Sequence, residues 1–228
     1  MKLVYGLMLA AAVAAIGVSS AAGAAATSPG TITVGGTGIV SSVPDQADFT
    51  FGVSVSAKTA TAALAANSAQ MNRLIGALKK RGVASRDIQT AQISLSPNTN
   101  PGGNRVLGYT ASNSVTAHIR KIGDAGPIID AAVGAGANEV SGPNLTSADA
   151  QRLYRQALEA AIANARAKAA TIASAAHLTL GAIRSVIEAS SAPSPRPLAG
   201  GVASSASTPV QPGTIQTEAD VTVTFNVG

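Results

Sequence analysis

Apolar and polar positions alternate with two rhythms along this chain, a period of two and a period near 3.6, and each change of rhythm marks an element. Over 48–56, Phe49, Phe51, Val53 and Val55 alternate with Asp48, Thr50, Ser54 and Ser56, which predicts a strand covered on one face. From about 59 to 81 the period is helical. Leu64, Asn67, Met71, Leu74, Ile75 and Leu78 form one stripe with a single polar interruption, and Gly82 supplies the stop. Strands follow at 88–96 and about 106–121, separated by a breaker-rich run, 97–104. In the second of them Val115, Ala117 and Ile119 face one way and Thr116, His118 and Arg120 the other. A short helix is predicted from about 124 to 133, capped by Asp124, with Pro127 in its first turn and Gly134 and Gly136 ending it. A short strand follows at 138–145.

The strongest helical pattern spans about 148–176. Tyr154, Leu158, Ala161, Ala165, Ala169, Ile172 and Ala176 recur at steps of three and four, and so many alanines permit close approach to a sheet or a second helix. A strand at about 180–189 precedes 191–213, which is loaded with Pro, Ser, Ala and Gly and reads as a flexible loop. In the terminal strand Ala219, Val221, Val223, Phe225 and Val227 alternate with Glu218, Asp220, Thr222, Thr224 and Asn226. Near the start, 31–40 is rich in Thr, Val and Ile but holds Gly35, Gly36 and Gly38, which predicts a strand broken by a bulge or bend.

One order of elements occurs twice. Helix, strand, breaker-rich loop, strand runs over about 59–121 and again over about 148–227, and each strand pair can form an antiparallel hairpin over its helix. The expected fold is therefore α+β: antiparallel strands with a long Ala-rich helix and one other long helix packed on them, in pseudo-duplicated helix–hairpin units.

The first 26 residues change the picture most. Lys2 is followed by the uncharged apolar run 3–18, and then by two small-x-small sites, Ala22-Gly23-Ala24 and Ala24-Ala25-Ala26. That layout predicts a secretory signal peptide over 1–26. Its apolar run is shorter than the roughly 20 residues of a membrane span, so a retained anchor is the lesser alternative. The remainder, 27–228, is long enough for one domain or for two lobes, about 27–121 and 122–228.

Composition then removes whole classes of function. With no cysteine, thiol redox chemistry, cysteine nucleophiles and thiolate metal sites are excluded, and an exported chain must hold itself together without disulfides. No Trp, three Tyr and three Phe leave no stacking platform for sugars or single-stranded nucleic acid. The net charge is +5, but the basic residues are scattered and Lys79-Lys80-Arg81 is their one run. It sits at a helix end, where cations favour the helix dipole, so no nucleic-acid partner is expected.

Candidate chemistry is sparse. Gly35-Gly36-Thr37-Gly38 lacks the Gly-Lys-Ser/Thr ending of a nucleotide loop and precedes no helix. His118 and His177 are the two histidines, and neither has an acidic or histidine neighbour at metal-binding spacing. Asp45 with Asp48, and Glu218 with Asp220, are carboxylate pairs that could bind a hard cation or flank a glycosidic bond. Their positions suit a turn and the outer face of a strand equally well. No catalytic, cofactor-binding or metal residue is assigned, and no cofactor is expected.

Several ordered blocks carry a resemblance. They are Gly35-Gly36-Thr37-Gly38-Ile39-Val40 leading to Pro44-Asp45-Gln46-Ala47; Gly82-Val83 with Asp87-Ile88-Gln89-Thr90; Gly108-Tyr109-Thr110-Ala111-Ser112-Asn113-Ser114-Val115; the segment 130–138; and Asn164-Ala165-Arg166-Ala167-Lys168-Ala169 ending in Leu180-Gly181. In this order and spacing the chain resembles the SIMPL-domain family, the group of the bacterial periplasmic immunogenic and oxidative-stress defence proteins. The resemblance implies a periplasmic α+β protein that self-assembles and is loosely linked to oxidative-stress tolerance, with no established enzyme activity. The family commonly has glycine after the long helix, where this chain has His177. The leading expectation is a non-catalytic periplasmic protein acting by self-assembly or binding, as a homo-oligomer or with an envelope protein or small ligand. The alternative is a hydrolase or ligand-binding enzyme whose site forms only in the fold, from Asp45, Asp48, His118 or Tyr109.

Overall fold

The computed structural model describes residues 30–189, 196–198 and 208–228. The expected signal peptide and most of the expected loop 191–213 lie outside the described residues. Among the described residues the chain runs β1 (Gly30–Ser42), β2 (Gln46–Ala57), α1 (Ala60–Lys80), β3 (Ile88–Thr99), β4 (Val106–Ile119), α2 (Ala125–Gly134), β5 (Glu139–Thr146), α3 (Ala150–Ala175), β6 (Leu180–Glu188), β7 (Arg196–Leu198) and β8 (Thr214–Val227). Every strand pairing is antiparallel, and the fold is α+β with helices on sheet faces.

Two sheets divide these strands. One has the order β3-β4-β2-β5; the other has β1-β8-β6, with β7 beside the start of β8. The expected hairpins are present, β3 with β4 and β6 with β8, each under its own long helix. The repeat is larger than the sequence pattern indicates, because each unit also owns the strand that opens it. Strand β2 with α1, β3 and β4 gives the order β3-β4-β2, and β1 with α3, β6 and β8 gives β6-β8-β1. The first unit, extended by α2 and β5, is inserted between β1 and α3 of the second. The sheets therefore do not part at residue 121: 46–146 forms the inserted lobe, and β1 pairs with the far end of the chain.

Each sheet buries one face under its helix. In the inserted lobe Phe49, Phe51, Val53, Val115, Ala117 and Ile119 meet Met71, Leu74 and Leu78 of α1 in one apolar cluster. The polar interruption in the α1 stripe has a partner on each of two strands. Buried Asn67 donates through Nδ2 to the carbonyls of Val53 (2.7 Å) and Ala111 (2.9 Å). That pairing offsets the cost of burying an amide.

The other lobe packs differently. Ala157, Ala161, Ala165, Ala169 and Ala173 form one row four residues apart on α3, all fully or almost fully buried. Such an i±4 row is inclined to the helix axis, so Leu153 and Ala173 are buried at its ends while Ile172 is 46% exposed. Tyr154 leans instead toward β6, where its hydroxyl donates to Glu188. Beneath the row, β1 is unbroken: thirteen residues pair with β8 without a register shift. The expected bulge is absent, and the glycines have another cause. A Cβ on Gly38 would lie 2.0 Å from the carbonyl oxygen of Ala157, and one on Gly36 would lie 2.1 Å from that of Ala161. The helix backbone rests directly on the strand backbone there, and no side chain fits between them.

Helices α1, α2 and α3 end in the same way. Val83, Ala137 and Leu178 donate their N–H to the carbonyls of Leu78, Ala132 and Ala173, five residues back, which is the Schellman closure. The residue before each donor has positive φ: Gly82 (92°), Gly136 (112°) and His177 (57°). His177 thus adopts the backbone that glycine adopts elsewhere in the molecule, at a steric cost of roughly 1–2 kcal/mol for a residue with a Cβ.

Both crossings between lobes meet at one side chain. Asp45, between β1 and β2, accepts the N–H of Ala148 at Oδ1 (2.9 Å), just before α3, while its carbonyl accepts from Ile122 (3.0 Å). A third tie comes from the expected loop. Thr208 donates to Asp130 of α2 (2.7 Å), and Val210 packs against the core of the inserted lobe. The described end of that segment is docked, because Thr and Val find a polar and an apolar partner on α2 and its surroundings.

Two substitutions test this packing. Gly38→Ala should destabilise by about 1–3 kcal/mol or more through overpacking, whereas Gly35→Ala, which meets nothing within 4 Å, should be near neutral; thermal unfolding of the two variants makes the comparison. His177→Gly should raise stability by up to about 1 kcal/mol, because relief of the left-handed strain exceeds the added entropy of the unfolded chain. An unchanged melting temperature would show that the His177 side chain compensates for its backbone.

Candidate functional site

The fold brings two of the expected site residues together. Asp48 on β2 and His118 on β4 are direct cross-strand partners on the outer face of the inserted sheet, with Nδ1 2.7 Å from Oδ1. The carboxylate can only accept, so Nδ1 carries the proton and Nε2 of the neutral ring is an acceptor. The other candidates are elsewhere. Asp45 is engaged at the lobe crossing, and His177 closes α3. Tyr109 lies opposite Ala57 at the other end of β4, nine residues from His118, a span of about 30 Å in a strand. Asp220 accepts from Thr37 on the outer face of the second sheet (2.6 Å), beside the residue facing Glu218.

His118 lines a cleft of about 340 Å³ where β4 leaves the sheet and α1 ends. Its apolar floor is Val83, Ile119 and Ile128. A second, tighter pair stands beside it: Arg120 donates from Nε and Nη2 to the two oxygens of Asp87, at 2.8 and 2.7 Å. The Asp87 carboxylate is almost enclosed while Arg120 is half exposed. The bidentate bond from Arg120 holds Asp87 below the ordinary carboxylate range despite burial, which opposes it, with further help from the charges of Arg120 and Arg86. Arg81 and Lys121 complete the cationic side, and Asp124 opposes them. Nothing in the sequence distinguishes Asp87 from other surface acids, since its partner is thirty-three residues away and only the β3–β4 pairing brings the two together.

The Asp48–His118 pair holds and orients a base, which is the conserving half of an acid–base device rather than a complete one. Among the described residues the His118 side chain has no hydrogen bond besides that to Asp48, and no group of three or more His, Cys, Asp or Glu side chains is placed to hold a metal ion. No helix of the described residues is long and apolar enough to cross a membrane.

A second feature was not anticipated from sequence. Strand β3 is an outer strand of its sheet and is exposed over nearly its whole length. Ile93 is 63% exposed and Leu95 42%, and Leu95 with Leu64 of α1 lines an apolar groove of about 480 Å³. The outer edge of β1 is handled differently: Asn164 of α3 accepts the N–H of Thr37 (3.2 Å) and Lys168 donates to the carbonyl of Gly35 (2.9 Å). That covers backbone groups which would otherwise be open to pairing. Over residues 92–98, β3 keeps an even register with β4 and shows no such cover among the described residues.

Comparison with known proteins places the chain in a family. Residues 32–225 match the family model described as SIMPL, protein of unknown function (DUF541). The chain is 35% identical over 182 residues to the 26 kDa periplasmic immunogenic protein of Brucella melitensis biotype 1, covering 77% of this chain and 73% of that one. It is 31% identical over 157 residues to the uncharacterized protein YggE of Escherichia coli (strain K12), covering 68% and 64% respectively. The chain belongs to the SIMPL family.

The Asp87–Arg120 pair has a pH signature. The unfolded chain binds a proton to Asp87 at higher pH than the folded chain does, so the stabilisation is complete above the ordinary carboxylate range and declines as pH falls through the lowered folded value. Denaturant unfolding of Asp87→Asn should therefore show less stability than wild type at neutral pH and a shallower decline in acid. Parallel pH profiles for the two proteins would show that the pair is solvated and energetically silent.

Proposed function

We propose that this chain is a periplasmic, non-catalytic protein that works by self-assembly, with the β3 edge as its contact surface and protection of the cell envelope against oxidative stress as its role. The observation that carries the reading is an outer strand with exposed Ile93 and Leu95 beside an apolar groove. Exposed apolar edges on a soluble chain favour pairing with another chain. A second copy is the natural occupant, because two β3 strands meeting antiparallel are self-complementary and extend one four-stranded sheet into the next. The periplasm is supported by the name of the Brucella relative and by the signal-peptide pattern of residues 1–26.

One observation favours a second reading, an enzyme acting on a small substrate: the oriented Asp48–His118 base at the mouth of a cleft. The first reading accounts for more of the surface, since the base has no partnered nucleophile among the described residues.

The two readings separate in one experiment. Sedimentation of the mature chain should show an oligomer, and Ile93→Lys should dissociate it about a hundredfold or more in association constant, as burying an unpaired charge at the centre of an interface does. Ile93 is exposed in the single chain, so thermal stability at low concentration should change little. His118→Ala should assemble normally and complement a deletion strain under peroxide stress. A monomeric wild type, or a well-assembled His118→Ala protein that fails to complement, would overturn the assembly reading in favour of the enzyme.

A further inference from the structure

The cleft beside His118 carries a charge pattern that assembly through β3 does not use. Its acids are not equivalent. Asp87 is matched in charge by a bidentate Arg120, while Asp48 stands behind the His118 ring, outside the lining, and accepts from Nδ1. Three charged groups of the lining remain, Arg81 and Lys121 against Asp124. Among the described residues none of these three takes part in an ion pair. The lining itself thus carries three cations, Arg81, Arg120 and Lys121, against two carboxylates, Asp87 and Asp124, a surplus of one positive charge.

The lining is also amphipathic. Val83, Ile119 and Ile128 form its floor, with the charged groups around the rim. A volume of about 340 Å³ is at the small end of the range for ligand sites, roughly 300–1,000 Å³. The elements that frame it are fixed. The Gly82 closure ends α1 and delivers Arg81 and Val83, the bond from Ile122 to the Asp45 carbonyl anchors the turn after Lys121, and Ile128 is on the first turn of α2. A site so framed is preorganised, which lowers the cost of binding.

We infer that this cleft binds a small organic monoanion, a carboxylate with a short apolar body. The head group is held by Arg81 and Lys121, and the body lies on Val83, Ile119 and Ile128. Asp124 selects against ligands of higher charge, because a phosphate dianion brings a second negative charge to a cleft with one positive charge to spare. Neutral isosteres are rejected for the opposite reason, since they leave the cations uncompensated.

The test is an amide-detected NMR titration of the mature chain with hexanoate, hexanamide and inorganic phosphate. Hexanoate should give saturable shifts centred on residues 81–83 and 118–128, and neither of the other probes should do so at equal concentration. Arg81→Gln and Lys121→Gln should each raise the dissociation constant about tenfold, as expected for loss of a charge-assisted hydrogen bond. Asp124→Asn should lower it severalfold, while Arg73→Gln, on α1 outside the cleft, should leave it unchanged. The distant amide spectrum reports folding in every variant. Equal shifts from hexanamide, stronger shifts from phosphate, shifts centred on the Leu64–Leu95 groove, or indifference to Asp124→Asn would each overturn the assignment. Repeating the titration on Ile93→Lys separates it from assembly: a cleft that binds hexanoate in a monomer stands whether or not the β3 interface does.

Discussion

The contact on which the rest of the structure depends is the bare approach of α3 to β1. A strand and a helix ordinarily meet through side chains, and their separation is then adjustable by repacking. Here Gly36 and Gly38 present backbone to the carbonyls of Ala157 and Ala161, so the separation is set by main-chain atoms alone. At that distance Asn164 and Lys168 reach the outer backbone groups of β1. The same contact thus packs the terminal lobe and blocks its exposed edge. It also fixes the first strand to the last helix and, through β8, to the last strand, which closes the chain around the inserted lobe.

The inserted lobe repeats the topology with different materials. Its helix lays Met71, Leu74 and Leu78 on a sheet of Phe and Val, so bulk fills the gap that glycine and alanine abolish in the other lobe. Each burial of such a side chain contributes roughly 1.5–3 kcal/mol, whereas an alanine methyl contributes less and depends on fit. The inserted lobe is held by apolar area and the terminal lobe by contact distance. An asparagine reaches strand backbone in both cases: Asn164 bonds Thr37 on β1, and Asn138 bonds both the N–H and the carbonyl of Ser54 on β2. The second bond pair continues the edge of β2 beyond the point where β5 begins. No comparable group covers β3 among the described residues, and β3 keeps an even register over 92–98 where the outer strands β5 and β6 pair with register shifts, which makes β3 the candidate for contact with another chain.

What could be read from the sequence follows from how local each cause is. Alternation in β8 and β2 and the stripe on α1 are local, and the elements are where the pattern places them. The glycines of β1 were ambiguous because a strand glycine signals either a bend or a close neighbour, and the neighbour is about 120 residues away on α3. The α3 face was legible at Ala161, Ala165 and Ala169 but not at its ends, since a row of pure i+4 steps drifts around the helix and only the partner strand determines which drift is used. His177 was visible as a residue where glycine is usual, and the three-fold recurrence of the same helix closure shows that the backbone stayed while the residue changed. The cleft was the least legible part. Asp48 and His118 were each noted, but their union depends on strand register, and the Asp87–Arg120 pair depends on a hairpin whose turn is far from both.

The insertion gives the two surface features separate mechanical standing. Both chain crossings converge on Asp45, which bonds the start of the path into α3 through its side chain and the turn after β4 through its carbonyl. That turn carries Lys121 into the cleft, so the geometry of the charged rim is tied to the junction between lobes. The β3 edge lies across the sheet, with β4 and β2 between it and β5, and has no bond to that junction among the described residues. A ligand in the cleft would therefore act first on the lobe junction, and a partner on β3 would act first on the inserted sheet. Coupling between them would have to pass along β4, the one strand that both borders β3 and delivers His118 and Arg120. Because β4 is paired on both sides along almost its full length, it resists sliding, and the simplest physical expectation is two nearly independent surfaces on one rigid sheet.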